Sequence, residues 1–183
     1  IEYDYLVICS GSNYSCPVEE KGVFIASRSN SLLEAYNKIS KAKRILIIGG
    51  GLVGVELAAE LCTHYKNKEI VLVNSERLIP RNNLKSAEYS REFLGRYGVK
   101  LLLNQTYNGG KNKADITFIA TGIKPNFEFM KKNFSKHLSE NGYISVNSFL
   151  QLNRMKNIFV AGDVVNVKEE KTAQNAEKHA EIV

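Results

Sequence analysis

The segment from Arg44 to Glu76 constrains the fold more than any other part of the chain. It opens with the apolar run Ile45–Ile48, passes through a glycine-rich turn at Gly49–Gly54, and ends with a second branched run at Ile70–Val73. A short apolar run bounded by glycine is typical of a buried strand, and apolar residues recur at helical spacing across 55–65. The segment therefore predicts a strand–turn–helix–strand unit.

The turn contains the pattern G-x-G-x-x-G, which in this setting predicts a dinucleotide site. The first glycine of such a motif permits a tight turn, the second lets a pyrophosphate approach the backbone, and the third brings helix and strand together. The unpaired N–H groups at the helix start then hold the phosphates. The alternative is a structural turn that binds nothing. The candidate phosphate-binding residues are Gly49, Gly50, Gly51, Leu52, Val53 and Gly54.

Strands alternate with helices along the rest of the chain, which predicts an α/β fold with a central parallel sheet. Further strands are expected at 3–9, 22–25, 99–103, 116–120, 143–146 and 158–161. Helices are expected at 32–39 (with N-cap candidates Ser29 to Ser31), 84–97, 126–138 and 172–183. Asn108 to Gly110 is typical of a turn between antiparallel strands, so a small antiparallel β insertion is also expected.

Composition places few limits on the partners. The net charge of the 183 residues is +6, but the lysines are scattered in twos and threes, which argues against nucleic acid as the partner. No apolar run is long enough to span a membrane. Association of a full-length protein with a membrane surface stays open, as does the oligomeric state.

The cysteines and histidines form no C-x-x-C and no metal-ligand spacing, so no metal site is predicted. Cys9 and Cys62 lie in apolar patterns and are expected to be buried, which leaves Cys16 as the candidate reactive thiol. This usage fits a reducing compartment, cytoplasmic or organellar. His64 is expected to cap or flank a helix end.

Four motifs occur in a fixed order along the chain: CSGS at Cys9–Ser12, the glycine turn, ATG at Ala120–Gly122, and FVAGD at Phe159–Asp163. Together they resemble the pyridine nucleotide-disulfide oxidoreductase family of flavoproteins. In that family a nicotinamide-binding Rossmann domain is inserted into an FAD-binding Rossmann domain. The runs VGVELAAEL and TAQNAEKHA are most similar to the apoptosis-inducing-factor-like and type II NADH dehydrogenase-like branch.

The resemblance implies that residues 1–20 leave an FAD-binding domain, 21–122 form the NAD(P)-binding domain, and 123–183 re-enter the FAD-binding domain. The residues that it places near FAD are Gly11, Gly162, Asp163, Thr172, Ala173 and Gln174. The family's first FAD motif is missing from this sequence, which begins at Ile1, so we interpret the chain as a fragment. We expect the 183-residue chain not to retain FAD; stoichiometric flavin absorbance in the purified protein would contradict this.

The choice between NAD and NADP is left open by the sequence. The residue about twenty positions after Gly54 is where an acid would bind the ribose 2′-hydroxyl of NAD, and here it is the neutral Asn74. Beyond Ser75, Glu76 offers an acid and Arg77 offers a base for a 2′-phosphate. The absence of a basic pair on the strand end weakly favours NADH.

At the nicotinamide end of the site, the resemblance implies contacts from Glu56, Thr121 and Gly122. Glu56 also has a simpler interpretation, as a first-turn glutamate that interacts with the helix dipole.

The resemblance implies hydride transfer from NAD(P)H to FAD and then electron delivery to a second acceptor, for which a quinone is the leading candidate. Two alternatives stay open. One is a nucleotide-dependent redox-sensing or effector protein of the apoptosis-inducing-factor type with little turnover. The other is a flavin disulfide reductase, which would need a cysteine pair close to the flavin.

Overall fold

The structure is a computed structural model that describes residues 2–14, 23–25, 32–109 and 113–183. The chain forms two compact units, one of Ser15–Gly122 and one of Ile1–Tyr14 with Ile123–Val183. The predicted boundary between residues 20 and 21 lies outside the described residues. So do Cys16, the N-cap candidates at 29–31, and Gly110.

The unit Ser15–Gly122 is built on a five-stranded parallel sheet in the order β3-β7-β4-β5-β6. Its strands are β3 (Val23–Ile25), β4 (Arg44–Ile48), β5 (Glu69–Val73), β6 (Lys100–Leu102) and β7 (Ile116–Ile119). Ile45, Leu46 and Ile47 in β4 are at most 1% exposed. Such burial explains their continuous apolar pattern, since a parallel strand buried on both faces has no polar side.

Three helices belong to this unit: α1 (Leu32–Lys41), α2 (Leu52–His64) and α3 (Leu84–Arg96). In α2 the buried residues Ala58 and Cys62 pack into the main apolar core, as their spacing predicted, and Leu61 is buried with them. The side chain of Asn83 caps α3 by accepting a 2.8 Å hydrogen bond from the Ser86 N–H.

The strand order places a topological switch between β4 and β7. Along the chain β4, β5 and β6 follow one another toward one edge, and β7 then pairs with the opposite side of β4. In open α/β sheets the crevice at the carboxyl ends of two such strands is where ligands bind. The glycine turn follows β4 directly and therefore lies at this crevice.

The other unit contains two short sheets. The first pairs β1 (Leu6–Ile8) with β9 (Ile158–Val160) in parallel, and the second pairs β2 (Ser12–Tyr14) with β8 (Ile123–Pro125) antiparallel. Its helices are α4 (Lys131–Phe134), between 3-10 turns at Glu128–Met130 and Ser135–His137, and α5 (Ala173–Ile182). An apolar core that includes Ile144, Leu152 and Val160 joins these elements.

The small antiparallel sheet is present, but its strands differ from those predicted. It consists of β2 and β8, while the described residues between β6 and β7 contain no strand. The strand predicted at 143–146 is also wrong. Ile144 forms single bridges to Leu138 and Val165, and Val146 forms one to Leu152. The helix predicted at 126–138 is broken because the backbone at Phe134 leaves the helical region (φ −133°, ψ 25°).

Candidate functional site

Two glycines of the turn are required by close backbone packing. Gly49 has a φ of +110°, and a Cβ there would overlap the carbonyl of Ala120 at the end of β7. A Cβ on Gly54 would overlap the carbonyl of Gly49. Glycine is therefore needed at Gly49 for the tight turn and at Gly54 for the close approach of α2 to β4. These are two of the roles predicted from the motif.

Gly51 differs from these two because its surroundings are open. It is the N-cap of α2, and apart from Gly51 and its two chain neighbours no atom of the described chain lies within 4 Å of the position that a Cβ would take. Within the described chain no side chain caps this helix, and its first turn carries no acidic residue. The N–H groups of Leu52, Val53 and Gly54 therefore face the open end without a helical partner, together with the positive end of the helix dipole. This arrangement fits a diphosphate.

The side chain of Asn74, directly after β5, forms hydrogen bonds through both its amide oxygen and its amide nitrogen. Its Oδ1 accepts a 2.9 Å hydrogen bond from the Gly50 N–H. Its Nδ2 donates to the carbonyls of Glu76 at 3.2 Å and Arg77 at 3.0 Å. Sequence spacing places Asn74 where an NAD-binding acid would contact the ribose, and in the structure its amide joins the glycine turn to the loop after β5.

The guanidinium of Arg77 is half-buried and bonded to its own loop. It donates to four backbone carbonyls at 2.7 to 3.4 Å, those of Leu78, Ile79, Pro80 and Asn82. Ser75 and Glu76, by contrast, are exposed. The carboxylate of Glu76 is thus exposed to solvent, whereas the guanidinium of Arg77 is hydrogen-bonded to backbone carbonyls.

A cleft of about 570 Å³ opens at the carboxyl ends of β4 and β5. It is lined by Gly49, Asn74 and Ser75, by 105–109 after β6, and by Thr121 after β7. The volume is in the range of sites for small molecules and cofactors. The structure thus brings Gly49 at the start of the glycine turn, the end of β5 and Thr121 to one cleft.

Gly122 and Glu56, the remaining candidate residues of this unit, are both exposed. Gly122 follows Thr121 with a φ of +104° and open space around it. Glu56 is exposed and lies in the second turn of α2, so its interpretation as a first-turn glutamate is wrong.

In the other unit, Gly11, Gly162 and Asp163, which were predicted near FAD, lie in the segments that follow β1 and β9. The Ser12 hydroxyl donates a 2.7 Å hydrogen bond to Oδ2 of Asp163. Gly11 and Gly162 have φ values of +65° and +77°, with open space around both. The loop after β1 and the turn after β9 therefore form one surface with a carboxylate.

Asn126 was predicted as the start of a helix and not as a site residue, but it lies before the first 3-10 turn and bonds to the segment around Gly11. Its Nδ2 donates to the Ser10 carbonyl at 2.9 Å, and its Oδ1 accepts from Asn13 Nδ2 at 2.7 Å. Its backbone N–H donates to the Gly11 carbonyl at 2.9 Å. These bonds support the β2–β8 pair around Gly11, and no local pattern around Asn126 would have predicted them.

His179 fixes the Gly162 turn from α5. Its Nδ1 accepts a 3.1 Å hydrogen bond from the Gly162 N–H, and its Nε2 lies 2.9 Å from Oε1 of Glu169. The imidazole is 5% exposed. The helix itself is capped by Thr172, whose hydroxyl accepts from the Asn175 N–H at 3.3 Å. In the sequence, the position of His179 among the small residues on one side of the predicted helix 172–183 could have indicated this role.

Ala173 and Gln174 form the exposed first turn of α5. They are therefore open to a ligand at the amino end of that helix. The turn at Gly162–Val164 packs against the same helix.

The described cysteines lie in different surroundings. Cys62 is 2% exposed, as predicted, and burial raises the pKa of its thiol although the nearby Lys66 acts in the opposite direction. Cys9 is exposed, so the prediction of burial is wrong for it. His64 is the last residue of α2, which confirms its predicted place at a helix end.

The described residues contain neither a group of side chains suited to a metal ion nor a helix with the length and apolarity to cross a membrane.

Comparisons with known proteins agree with the ordered motifs. A family model described as "Pyridine nucleotide-disulphide oxidoreductase" matches residues 1–180. The chain is 31% identical over 206 residues to ferroptosis suppressor protein 1 of Taeniopygia guttata, which covers 100% of this chain and 55% of that protein. It is 33% identical over 221 residues to apoptosis-inducing factor homolog A of Dictyostelium discoideum, with 100% and 54% covered.

A solved structure has the same fold. The water-forming NADH oxidase from Lactobacillus brevis bound to NADH superposes with a TM-score of 0.81 at 23% identity, covering 100% of this chain and 46% of that one. At this identity the likeness shows the fold alone. The chain spans about half the length of the curated relatives it matches.

Proposed function

Because this chain belongs to the pyridine nucleotide-disulphide oxidoreductase family, we propose that the glycine turn Gly49–Gly54 and the amino end of α2 bind the diphosphate of NAD(P)H. The observation that carries the proposal is the open space at Gly51, next to a helix start without a capping side chain. The backbone N–H groups of Leu52 and Val53 would donate to the phosphate oxygens, and the helix dipole would stabilise their charge.

The preferred dinucleotide in this proposal is NADH. The exposed carboxylate of Glu76 can accept a hydrogen bond from the ribose 2′-hydroxyl, and it would repel a 2′-phosphate. Arg77 would have to give up its bonds to the loop carbonyls before it could bind that phosphate. Ser75, which lines the cleft, lies beside the same ribose in this arrangement.

The nicotinamide end of the dinucleotide would lie along α2 and the end of β7. Glu56 can accept a hydrogen bond from the carboxamide, and Thr121 lines the cleft. Gly122 has open space where another residue would place a Cβ, which permits close approach of a ring.

The other unit would supply contacts to FAD. Asp163 would accept hydrogen bonds from the sugar-alcohol chain, since Ser12 occupies only its Oδ2. Gly11 and Gly162 leave room for close approach, and Thr172, Ala173 and Gln174 would place the amino end of α5 toward negative charge on the flavin ring. The chemistry that FAD supplies when bound is acceptance of a hydride from NAD(P)H and release of its electrons to a second acceptor.

For the second acceptor we favour a quinone or a similar small molecule. The segment 21–122 contains no C-x-x-C, which argues against a thioredoxin-reductase-like member. The similarity to apoptosis-inducing factor homolog A favours a second candidate, a redox-sensing or effector protein with little turnover. Rapid quinone reduction by the flavin-loaded protein would support the first candidate. Slow NADH oxidation with a long-lived reduced complex would support the second.

The proposed binding is tested by calorimetric titration of the chain with NADH. Gly51→Asp would place a carboxylate where the phosphate binds, so we expect it to abolish binding while the chain stays folded. Gly95→Asp makes the same change at an exposed glycine of α3, which also has open space around it, and should leave binding intact. Equal affinity of Gly51→Asp and the unaltered chain would refute the proposal.

A further inference from the structure

The three hydrogen bonds of the Asn74 side chain define its orientation. Its neighbours offer one donor, the Gly50 N–H, and two acceptors, the carbonyls of Glu76 and Arg77. Only an amide with oxygen toward Gly50 and nitrogen toward the loop satisfies all three. An aspartate could accept from Gly50, but it has no proton for the two carbonyls and would leave a carboxylate oxygen facing them.

The amide connects the two segments that border the cleft. On one side the glycine turn is tied to β5 by the Gly49 N–H, which donates to the Val73 carbonyl at 2.8 Å. On the other side the Gly50 carbonyl accepts from the Ile79 N–H at 2.7 Å. Asn74 lies between these bonds, and a Cβ on Gly50 would be only 3.0 Å from its side chain. The amide therefore acts together with the Gly50–Ile79 backbone bond to hold the turn against the loop 75–79.

We propose that Asn74 is a positioning residue of the dinucleotide site and not a reader of the ribose 2′ position. Its Oδ1 orients Gly50 and with it the N-cap residue Gly51, while its Nδ2 ties this turn to the backbone carbonyls of Glu76 and Arg77. This proposal rests on the proposed function of the cleft. It explains why the position that carries an acid in many NAD-binding folds carries an amide here.

The proposal and its rival make opposite predictions for Asn74→Asp. If this residue positions the turn, the acid weakens NADH and NADPH binding by a similar factor of about ten, since two hydrogen bonds are lost. If it reads the ribose, the acid supplies the missing NAD determinant. NADH binding then tightens while NADPH binding weakens.

The experiment measures dissociation constants for NADH and NADPH, with thermal unfolding midpoints, for the unaltered chain and three variants. Asn74→Ala removes the amide without adding charge, so it tests the proposal even if Asn74→Asp does not fold, and it should weaken both nucleotides alike. Asn133→Asp makes the same charge change at an exposed residue of α4 and should match the unaltered chain.

A parallel loss of both affinities at a temperature where the variant is folded supports the proposal. Tighter NADH binding by Asn74→Asp would overturn it, and so would a lowered unfolding midpoint with unchanged affinities, which would mean a purely structural role. Failure of the unaltered chain to bind either nucleotide would instead overturn the proposed function, and this inference with it.

Discussion

At the scale of single residues, Asp115 joins the starts of the two strands that border the crevice. Its Oδ2 accepts hydrogen bonds from the backbone N–H groups of Lys43 at 2.8 Å and Arg44 at 2.9 Å. These bonds, the one from Arg44 first, lower the pKa of the carboxyl group. Asp115 thereby ties the residue before β7 to the start of β4.

This geometry predicts a pH dependence of stability. Because the folded pKa is depressed, the ionised carboxylate stabilises the fold above its unfolded pKa of about 3.9, and the contribution is lost as the pH falls through the folded value. We expect Asp115→Asn to unfold at lower urea concentration than the unaltered chain at pH 7, and the difference to shrink near pH 3. A difference that stays constant over this range would contradict the assignment.

The roles of some single residues in the site can be predicted from the sequence, and the roles of others cannot. The roles of Gly49 and Gly54 follow from the motif because they depend on neighbours that any strand–turn–helix unit brings together. The bonds of Asn74, Arg77 and His179 do not follow from it. They depend on how particular loops return to the glycine turn or to Gly162, and no spacing rule contains that information.

At the scale of elements, the contact between α2 and β4 depends on the last glycine of the motif. Gly54 is buried, and a methyl group there would overlap the Gly49 carbonyl, whereas Gly95 of α3 is exposed with open space around it. The same substitution should therefore have opposite effects at the two helical positions.

We expect Gly54→Ala to lower the free energy of unfolding by about 1–3 kcal/mol, the usual cost of overpacking. Gly95→Ala should raise it by roughly 0.5–1 kcal/mol, because alanine loses less conformational freedom in a helix. Urea unfolding of both variants measures the difference. If both variants were stabilised, α2 would not pack against β4 as closely as described.

Burial and strand pairing explain which elements could be predicted from the sequence. Strands β4, β5 and β7 carry continuous branched runs because both of their faces are buried, and such runs are visible in a sequence. Residues 143–146 have a similar pattern but pair only through single bridges to three different segments. The β2–β8 pair joins segments more than a hundred residues apart, so no local turn signal announces it.

At the scale of the whole chain, the order of the motifs was more informative than any one of them. The family match over residues 1–180 confirms the resemblance, and the parallel sheet with a small antiparallel sheet confirms the fold class. FAD with NADH or NADPH, the predicted cofactors, are those of the family. The assignment of individual residues to either cofactor stays a prediction, since it depends on where a ligand lies.

Binding of the dinucleotide at the glycine turn can be tested by locating NADH on the chain. We propose to record two-dimensional ¹H–¹⁵N spectra of the labelled chain during a titration with NADH. We expect the largest saturable shifts at the amides of 50–54, in the glycine turn and the first residues of α2, and at Thr121. Shifts spread over the surface lysines, or confined to residues 2–14 and 123–183, would contradict it.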